Sequence, residues 1–260
     1  MRVGLLECDH IADRFRHIAG DYHDMFARWL RRAIPELEVE TFDVCHGQLP
    51  PSVDACDAYV CGASRWSVFD DQPWIPPLNA FVRALRDAER PFVGICFGHQ
   101  LMAEALGGRV ARGTSWGIGV QRIDVTRHEP WMQPARERLQ LLHSHQDQIA
   151  QLPPDAIVLG SSPHCPVALF RVGPTMLGIQ AHPELDGAYV EALMIDRTER
   201  IGAEPVRLAR ATLSTPTDAD IAGQWVREFL GECADGSPTG PTAVSQRARH
   251  AGRRGLPSHP

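Results

Sequence analysis

Residues 91–108, Pro91-Phe92-Val93-Gly94-Ile95-Cys96-Phe97-Gly98-His99-Gln100-Leu101-Met102-Ala103-Glu104-Ala105-Leu106-Gly107-Gly108, hold the sharpest change of pattern in the chain. Phe92 to Ile95 is the most uniformly apolar strand pattern present, opened by Pro91, and Gln100 to Leu106 has helical spacing that Gly107-Gly108 stops. Between them, Gly94-Ile95-Cys96-Phe97-Gly98 has the G-x-nucleophile-x-G form with Cys in place of Ser. Small residues on both sides permit a tight strand-to-helix turn that lifts the thiol clear of the sheet. The helix start brings backbone N–H groups and the positive dipole end towards the sulfur, favouring thiolate. That effect supplies ~0.3–1 kcal/mol. Ionising an ordinary thiol at neutral pH takes roughly 3 kcal/mol, so a base is needed as well.

Outward from this turn, strands and helices alternate. Val3–Leu6 reads as a buried strand, 21–34 as a helix with Met25, Phe26, Trp29, Leu30 and Ala33 on one face, and 38–44 and 58–62 as further strands. Trp74 to Ala88 is the next helix, with Leu78, Phe81, Val82 and Leu85 together. This alternation points to α/β architecture, a parallel sheet covered on both faces. Beyond Gly108 come shorter strand candidates near 118–125, 157–161, 167–171 and 176–180, either later strands of the same sheet or an antiparallel edge, and then helices over 186–231. One domain is expected over 1–231. Residues 232–260, rich in Gly, Pro, Ser and Arg, read as a disordered tail.

Bulk composition narrows the function. The net charge is −6 and the arginines are scattered, which argues against a nucleic-acid-binding body. All 26 basic residues are Arg. The absence of Lys removes the P-loop, kinase and Schiff-base lysines, so any ATP-dependent step would fall to a partner. Seven Cys, at 8, 45, 56, 61, 96, 165 and 233, show no C-x-x-C pair, and read as thiols of a reducing cytoplasm. No apolar run has the ~20 residues a membrane span needs, and the early Glu7 speaks against a signal peptide. No cofactor and no metal are expected.

The base that best fits Cys96 is His182, in Gly178-Ile179-Gln180-Ala181-His182-Pro183-Glu184. It follows an apolar strand, and in an extended segment Glu184 projects from the same side, where a carboxylate can fix the imidazole tautomer and stabilise its cation. His99 is an alternative base beside Cys96. His143-Ser144-His145-Gln146-Asp147 has the residue types of a metal cluster.

Pro91–Gly108 and Gly178–Glu184 together resemble the class I glutamine amidotransferase family, which includes the glutaminase domain of GMP synthase, and the similarity runs from residue 1 to about residue 230. The resemblance implies a three-layer sandwich with a mostly parallel central sheet and flavodoxin-like topology. It also implies that Cys96 forms a γ-glutamyl thioester, with His182 as general base and then acid and Glu184 orienting it. Phe97 N–H would be one oxyanion donor and Ser64 N–H the second, although Ala63-Ser64-Arg65 stands where GMP synthases have Gly-Gly-Pro. Gln100, Gly117, Ile118, Ser144 and His145 fall at the family's substrate-binding positions, which offers a non-metal account of the 143–147 segment. The expected reaction is hydrolysis of the glutamine side-chain amide, with ammonia passed to a separate synthetase. Ser64 to Ile75, SRWSVFDDQPWI, resembles free-standing family members more closely, so hydrolysis of other γ-glutamyl amides is the alternative. A non-catalytic binding module is the third reading.

Overall fold

The computed structural model describes residues 1–234. A single sheet of nine strands runs through them in the order β2-β1-β3-β4-β9-β8-β7-β5-β6. Five of the strands are parallel: β1 (Arg2–Glu7), β2 (Glu38–Asp43), β3 (Ala58–Cys61), β4 (Phe92–Ile95) and β9 (Met176–Ile179). The other four, β5 (Arg109–Val125), β6 (Arg138–Gln151), β7 (Ala156–Ser161) and β8 (Leu169–Val172), extend it in antiparallel fashion from β9. The later strands are therefore both part of the one sheet and its antiparallel edge, joined by connections that need no crossover helix.

Helices cover both faces. α3 (Ile75–Asp87) and α4 (Phe97–Ala105) bury Leu78, Val82, Leu85, Leu101 and Met102 on one side. On the other side lie α1 (Asp13–Ala19), α2 (Tyr22–Ala33), α5 (Gly187–Asp196), α6 (Thr198–Ile201), α7 (Ala203–Thr212) and α8 (Ala219–Ala234), with Trp29, Tyr189, Val206, Trp225 and Phe229 in the core. The strands serve both layers by alternation: Val3 and Leu5 face the α2 side while Leu6 faces the α3 side, and Val60 and Cys61 divide in the same way. Fully burying a side chain such as Phe26 or Leu30 in α2 contributes ~1.5–3 kcal/mol, and both are at most 1% exposed. Asp21 starts α2 by accepting from Tyr22 N–H while Asp24 reaches back to Asp21 N–H, a reciprocal cap.

Helix α8 ends at Ala234, three residues beyond the expected domain end at 231. The remainder of the expected tail, 235–260, lies outside the described residues. Among the described residues no helix is long and apolar enough to cross a membrane. The parallel half positions the site, because the ends of β1, β3, β4 and β9 open on one edge of the sheet. The order reverses between β1 and β3, and in open α/β sheets ligands bind at the carboxyl ends of strands near such a reversal.

Candidate active site

Cys96 sits between β4 and α4 with φ 51° and ψ −97°, a positive φ that a non-glycine residue holds at a cost of ~1–3 kcal/mol. Neighbouring structure enforces it. Cys96 N–H donates to Ile179 O at 2.8 Å and Gly98 N–H donates to Gly62 O at 3.2 Å, fastening the turn to the ends of β9 and β3. Both glycines are required by close approach: a Cβ on Gly94 would lie 2.3 Å from Gly98 O, and one on Gly98 would lie 2.3 Å from Cys61 O. Helix α4 begins at Phe97, directly after the thiol and three residues before the helical spacing becomes visible in sequence, because Gly98 and His99 carry no apolar stripe.

His182 lies just beyond β9, where its N–H donates to Leu142 O on β6 at 2.8 Å. Its Nδ1 is 2.8 Å from Glu184 Oε1, and the two side chains are 3% and 0% exposed. A carboxylate at Nδ1 holds the hydrogen there and leaves Nε2 to exchange protons. Nε2 is buried and has no hydrogen-bond partner among the described residues. Burial alone would push the imidazole pKa down, but the charge of Cys96, followed by that of Glu184, outweighs it and raises the pKa above the ordinary value. Cys96, His182 and Glu184 are thus brought together although 86 positions separate the thiol from the imidazole in sequence.

Phe97 and Ser64 line the same cleft as Cys96, and neither backbone N–H donates to another group among the described residues. The Ser64 loop is held from outside. Ser64 Oγ donates to Cys8 O at 3.1 Å, and Arg65 is clamped by the buried Asp9, to which its N–H and Nε both donate at 2.8 Å. This clamp replaces the rigidity that a proline would supply. Arg65 is also held by His10 O, which accepts from its guanidinium at 2.8 Å.

Cys96, Phe97, Ser64, Gln100, Ser144 and His145 all line one small cleft. Gly117 and Ile118 pair with His145 and Ser144 across the β5–β6 ladder but do not line it; the preceding residue, Trp116, does. Gly117 packs beneath His145, whose Nε2 would be 2.7 Å from an added Cβ. His145 lies 3.3 Å from His143 and 3.2 Å from Asp147 O. Burial, then the neighbouring imidazoles His143 and His164, drives its pKa well down. No potential metal cluster among the described residues includes His143 or His145. His99, the alternative base, stacks edge-on against Phe170 with centroids 4.9 Å apart, and burial pushes its pKa to about 3. It faces the underside of β9, where Gly178 leaves room for it, and not the thiol.

Several neighbours of the thiol escaped the sequence reading. Gln180 Nε2 donates to Cys96 Sγ at 3.6 Å, and its Oε1 accepts from Gln100 Nε2 at 3.1 Å, so two glutamines bridge the turn to Asp147 O. Gln180 stands two residues before His182, and alternation along the strand could have located it. Trp116, Arg197 and Arg200 extend the cleft outward, with the Arg200 guanidinium 4.6 Å from the Trp116 ring centroid. Burial, then Arg197 and Arg112, lowers the Arg200 pKa, which marks this end as a concentration of positive charge. Nothing local in sequence links residue 116 to residues 197 and 200.

A parallel sheet that carries a cysteine elbow at one strand end and a His-carboxylate pair at its neighbour defines a class of thiol-dependent amidohydrolase folds. Comparison with known proteins gives the relationship. The family model for class-I glutamine amidotransferases matches residues 70–197. Gamma-glutamyl peptidase 2 of Arabidopsis thaliana is 30% identical over 207 residues, covering 77% of this chain and 82% of that protein. A subunit of the glutamine-hydrolyzing GMP synthase of Methanoculleus marisnigri is 27% identical over 183 residues, covering 70% and 95%. A glutamine amidotransferase from Thermotoga maritima superposes with a TM-score of 0.69 over 89% of this chain and 96% of that one, at 19% identity, which bears on the fold. The chain belongs to the class-I glutamine amidotransferase family.

Proposed function

We propose that the protein hydrolyses the side-chain amide of a γ-glutamyl group through a thioester on Cys96. The observation that carries this reading is the Glu184–His182 pair at 2.8 Å, buried beside a cysteine on a strained turn. Cys96 Sγ attacks the amide carbonyl carbon while His182 Nε2 takes the thiol proton. The oxyanion that forms is met by the Phe97 and Ser64 N–H groups, each worth about 2.7–4 kcal/mol in comparable sites. Collapse breaks the C–N bond, and His182 returns its proton to the leaving nitrogen. Water, deprotonated by His182, then attacks the thioester; glutamate leaves and the thiol is re-formed. Glutamine would yield ammonia, which a separate synthetase could consume.

A second reading, a free-standing hydrolase of larger γ-glutamyl amides, is favoured by Trp116, Arg197 and Arg200. They line the same cleft as Cys96, and the two guanidinium groups suit a leaving group bearing a carboxylate. The test is to incubate the purified protein with glutamine and with γ-glutamyl peptides, measuring ammonia or amine release for wild type and Cys96→Ala. Release by wild type alone is expected, and equal release by both proteins would overturn the mechanism. A higher kcat/KM for glutamine than for every γ-glutamyl peptide would remove the second reading.

A further inference from the structure

On the far side of the Asp9–Arg65 clamp, at the carboxyl ends of β1 and β2, four donor groups converge. Asp43 ends β2, Cys45 and His46 follow on a tight turn that closes at Gly47 with φ +85°, and His10 comes from the loop after β1. The parallel register pairs Glu7 with Asp43, which brings residues just past each strand end side by side although more than thirty positions separate them in sequence.

We propose that His10, Asp43, Cys45 and His46 form a binding site for a zinc-class divalent transition-metal ion. The donor atoms already have the dimensions of such a cage. Asp43 Oδ1 is 3.2 Å from His10 Nε2 and 3.3 Å from Cys45 Sγ, His46 Nδ1 is 2.9 Å from Asp43 Oδ2, and Cys45 Sγ is 3.9 Å from His46 Nδ1. All four lie within 4.8 Å of one another. Tetrahedral zinc bonds of about 2.0–2.3 Å set ligands roughly 3.3–3.8 Å apart. Small side-chain rotations would open the cluster around an ion. The charges also suit: one thiolate and one carboxylate neutralise a divalent cation, two imidazoles complete four-coordination, and the Cys45 proton leaves to solvent on binding. Thiolate with imidazole selects zinc-like metals over magnesium or calcium.

A further feature distinguishes the cluster from a chance group of polar side chains. His10 Nδ1 is 3.2 Å from the buried Asp21 carboxylate, which fixes the ring and turns Nε2 towards the other donors. A carboxylate behind a metal-binding imidazole is the usual device for setting its tautomer and raising its basicity. Asp21 is itself immobile, accepting from Ile11 N–H at 2.7 Å and pairing with Arg16 at 2.9 Å. The site is reachable, since Cys45 and His46 also line an open cavity of about 400 Å³ beside Trp74. Because His10 O accepts from Arg65, an ion held here would brace the base of the loop that carries Ser64.

The test uses full-length protein carrying Cys96→Ser, so that the active-site thiol cannot bind metal, stripped with a chelator and titrated with Co²⁺ by absorption spectroscopy. One equivalent is expected to bind with a thiolate-to-cobalt band in the near ultraviolet and tetrahedral bands in the visible, and Zn²⁺ should displace it. Adding Cys45→Ser should abolish the thiolate band and weaken binding at least ~100-fold. Adding Asp21→Asn should keep the band while lowering affinity ~10–100-fold. His46→Gln gives an independent ligand loss should Cys45→Ser fold poorly by circular dichroism. Absence of a thiolate band in the parent, or an unchanged band and affinity in both Cys45→Ser and His46→Gln, would overturn the proposal.

Discussion

The backbone of Cys96 is strained so that its sulfur stands free of the sheet, and the strain is tolerated because Ile179 and Gly62 carbonyls hold the turn. Around it each polar residue has a separable task. Among the described residues the one hydrogen-bond partner of the Glu184 carboxylate is Nδ1 of His182, so its proposed role is to set the tautomer and stabilise the imidazolium. Glu184→Gln should lower kcat by roughly 10²–10⁴-fold with little change in KM, read from steady-state amine release. A kcat within twofold of wild type would exclude Glu184 from that role. His182→Asn should be at least as damaging, since base and nucleophile act as a unit. Both motifs were legible in sequence, because G-x-C-x-G and His-x-Glu each depend on residues a few positions apart. Arg200 was not, since a surface arginine carries no local signature of its neighbours, and Gln180 was reachable only through strand alternation from His182.

Among the elements, the loop after β3 shows how one geometry can be reached by different residues. Ala63-Ser64-Arg65 lacks the rigidity of proline, and the Asp9 carboxylate restrains it through Arg65. Asp9→Asn should therefore leave the fold intact yet lower kcat about 10-fold, less than the 10²–10³-fold loss of a whole oxyanion donor. An unchanged kcat would mean that the loop holds its shape without the clamp. Gly98→Ala has a stronger expectation, because its Cβ would meet Cys61 O at 2.3 Å in the heart of the sheet. Loss of several kcal/mol by denaturant titration is expected, at the upper end of single substitutions. The extent of the elements was only partly readable. β6 has no visible alternation in Leu141-Leu142-His143-Ser144-His145, because all of these residues except Ser144 are buried, on both faces of the strand. β5 begins nine residues before the apolar stretch at Ile118, since Arg109–Arg112 already pairs with β6 ahead of a register shift at Gly117, and α1 buries no side chain fully.

For the molecule as a whole, the sandwich encloses histidines that it cannot readily charge. His99 and His143 are fully buried with pKa values pushed down to about 3, in both cases chiefly by burial. In the unfolded chain each would titrate near 6.5. As pH falls through about 6.5 the unfolded state takes up protons that the folded state refuses, so stability declines from there towards pH 3. A plot of unfolding free energy against pH should rise steeply between about pH 4 and 6, and His143→Gln should make it shallower. A flat profile in that window would mean that these side chains are protonated in the native protein. Trp29 tests the opposite layer: it is 1% exposed, donates Nε1–H to Ala219 O at 3.0 Å and ties α2 to α8. Trp29→Ala should cost ~3–5 kcal/mol by leaving a cavity at that junction.

By itself the sequence determined the alternating α/β layout, the cysteine turn and the His-x-Glu that follows a later strand, because periodicity and turn chemistry act over a few residues. Tertiary structure alone decided that His182 meets Cys96, that Asp9 rather than proline shapes the Ser64 loop, and that His10 joins Asp43, Cys45 and His46. Each of these depends on strand order and parallel register, which place distant strand ends on one edge of the sheet. Register is set by the packing of whole layers against each other, and no short stretch of chain encodes it.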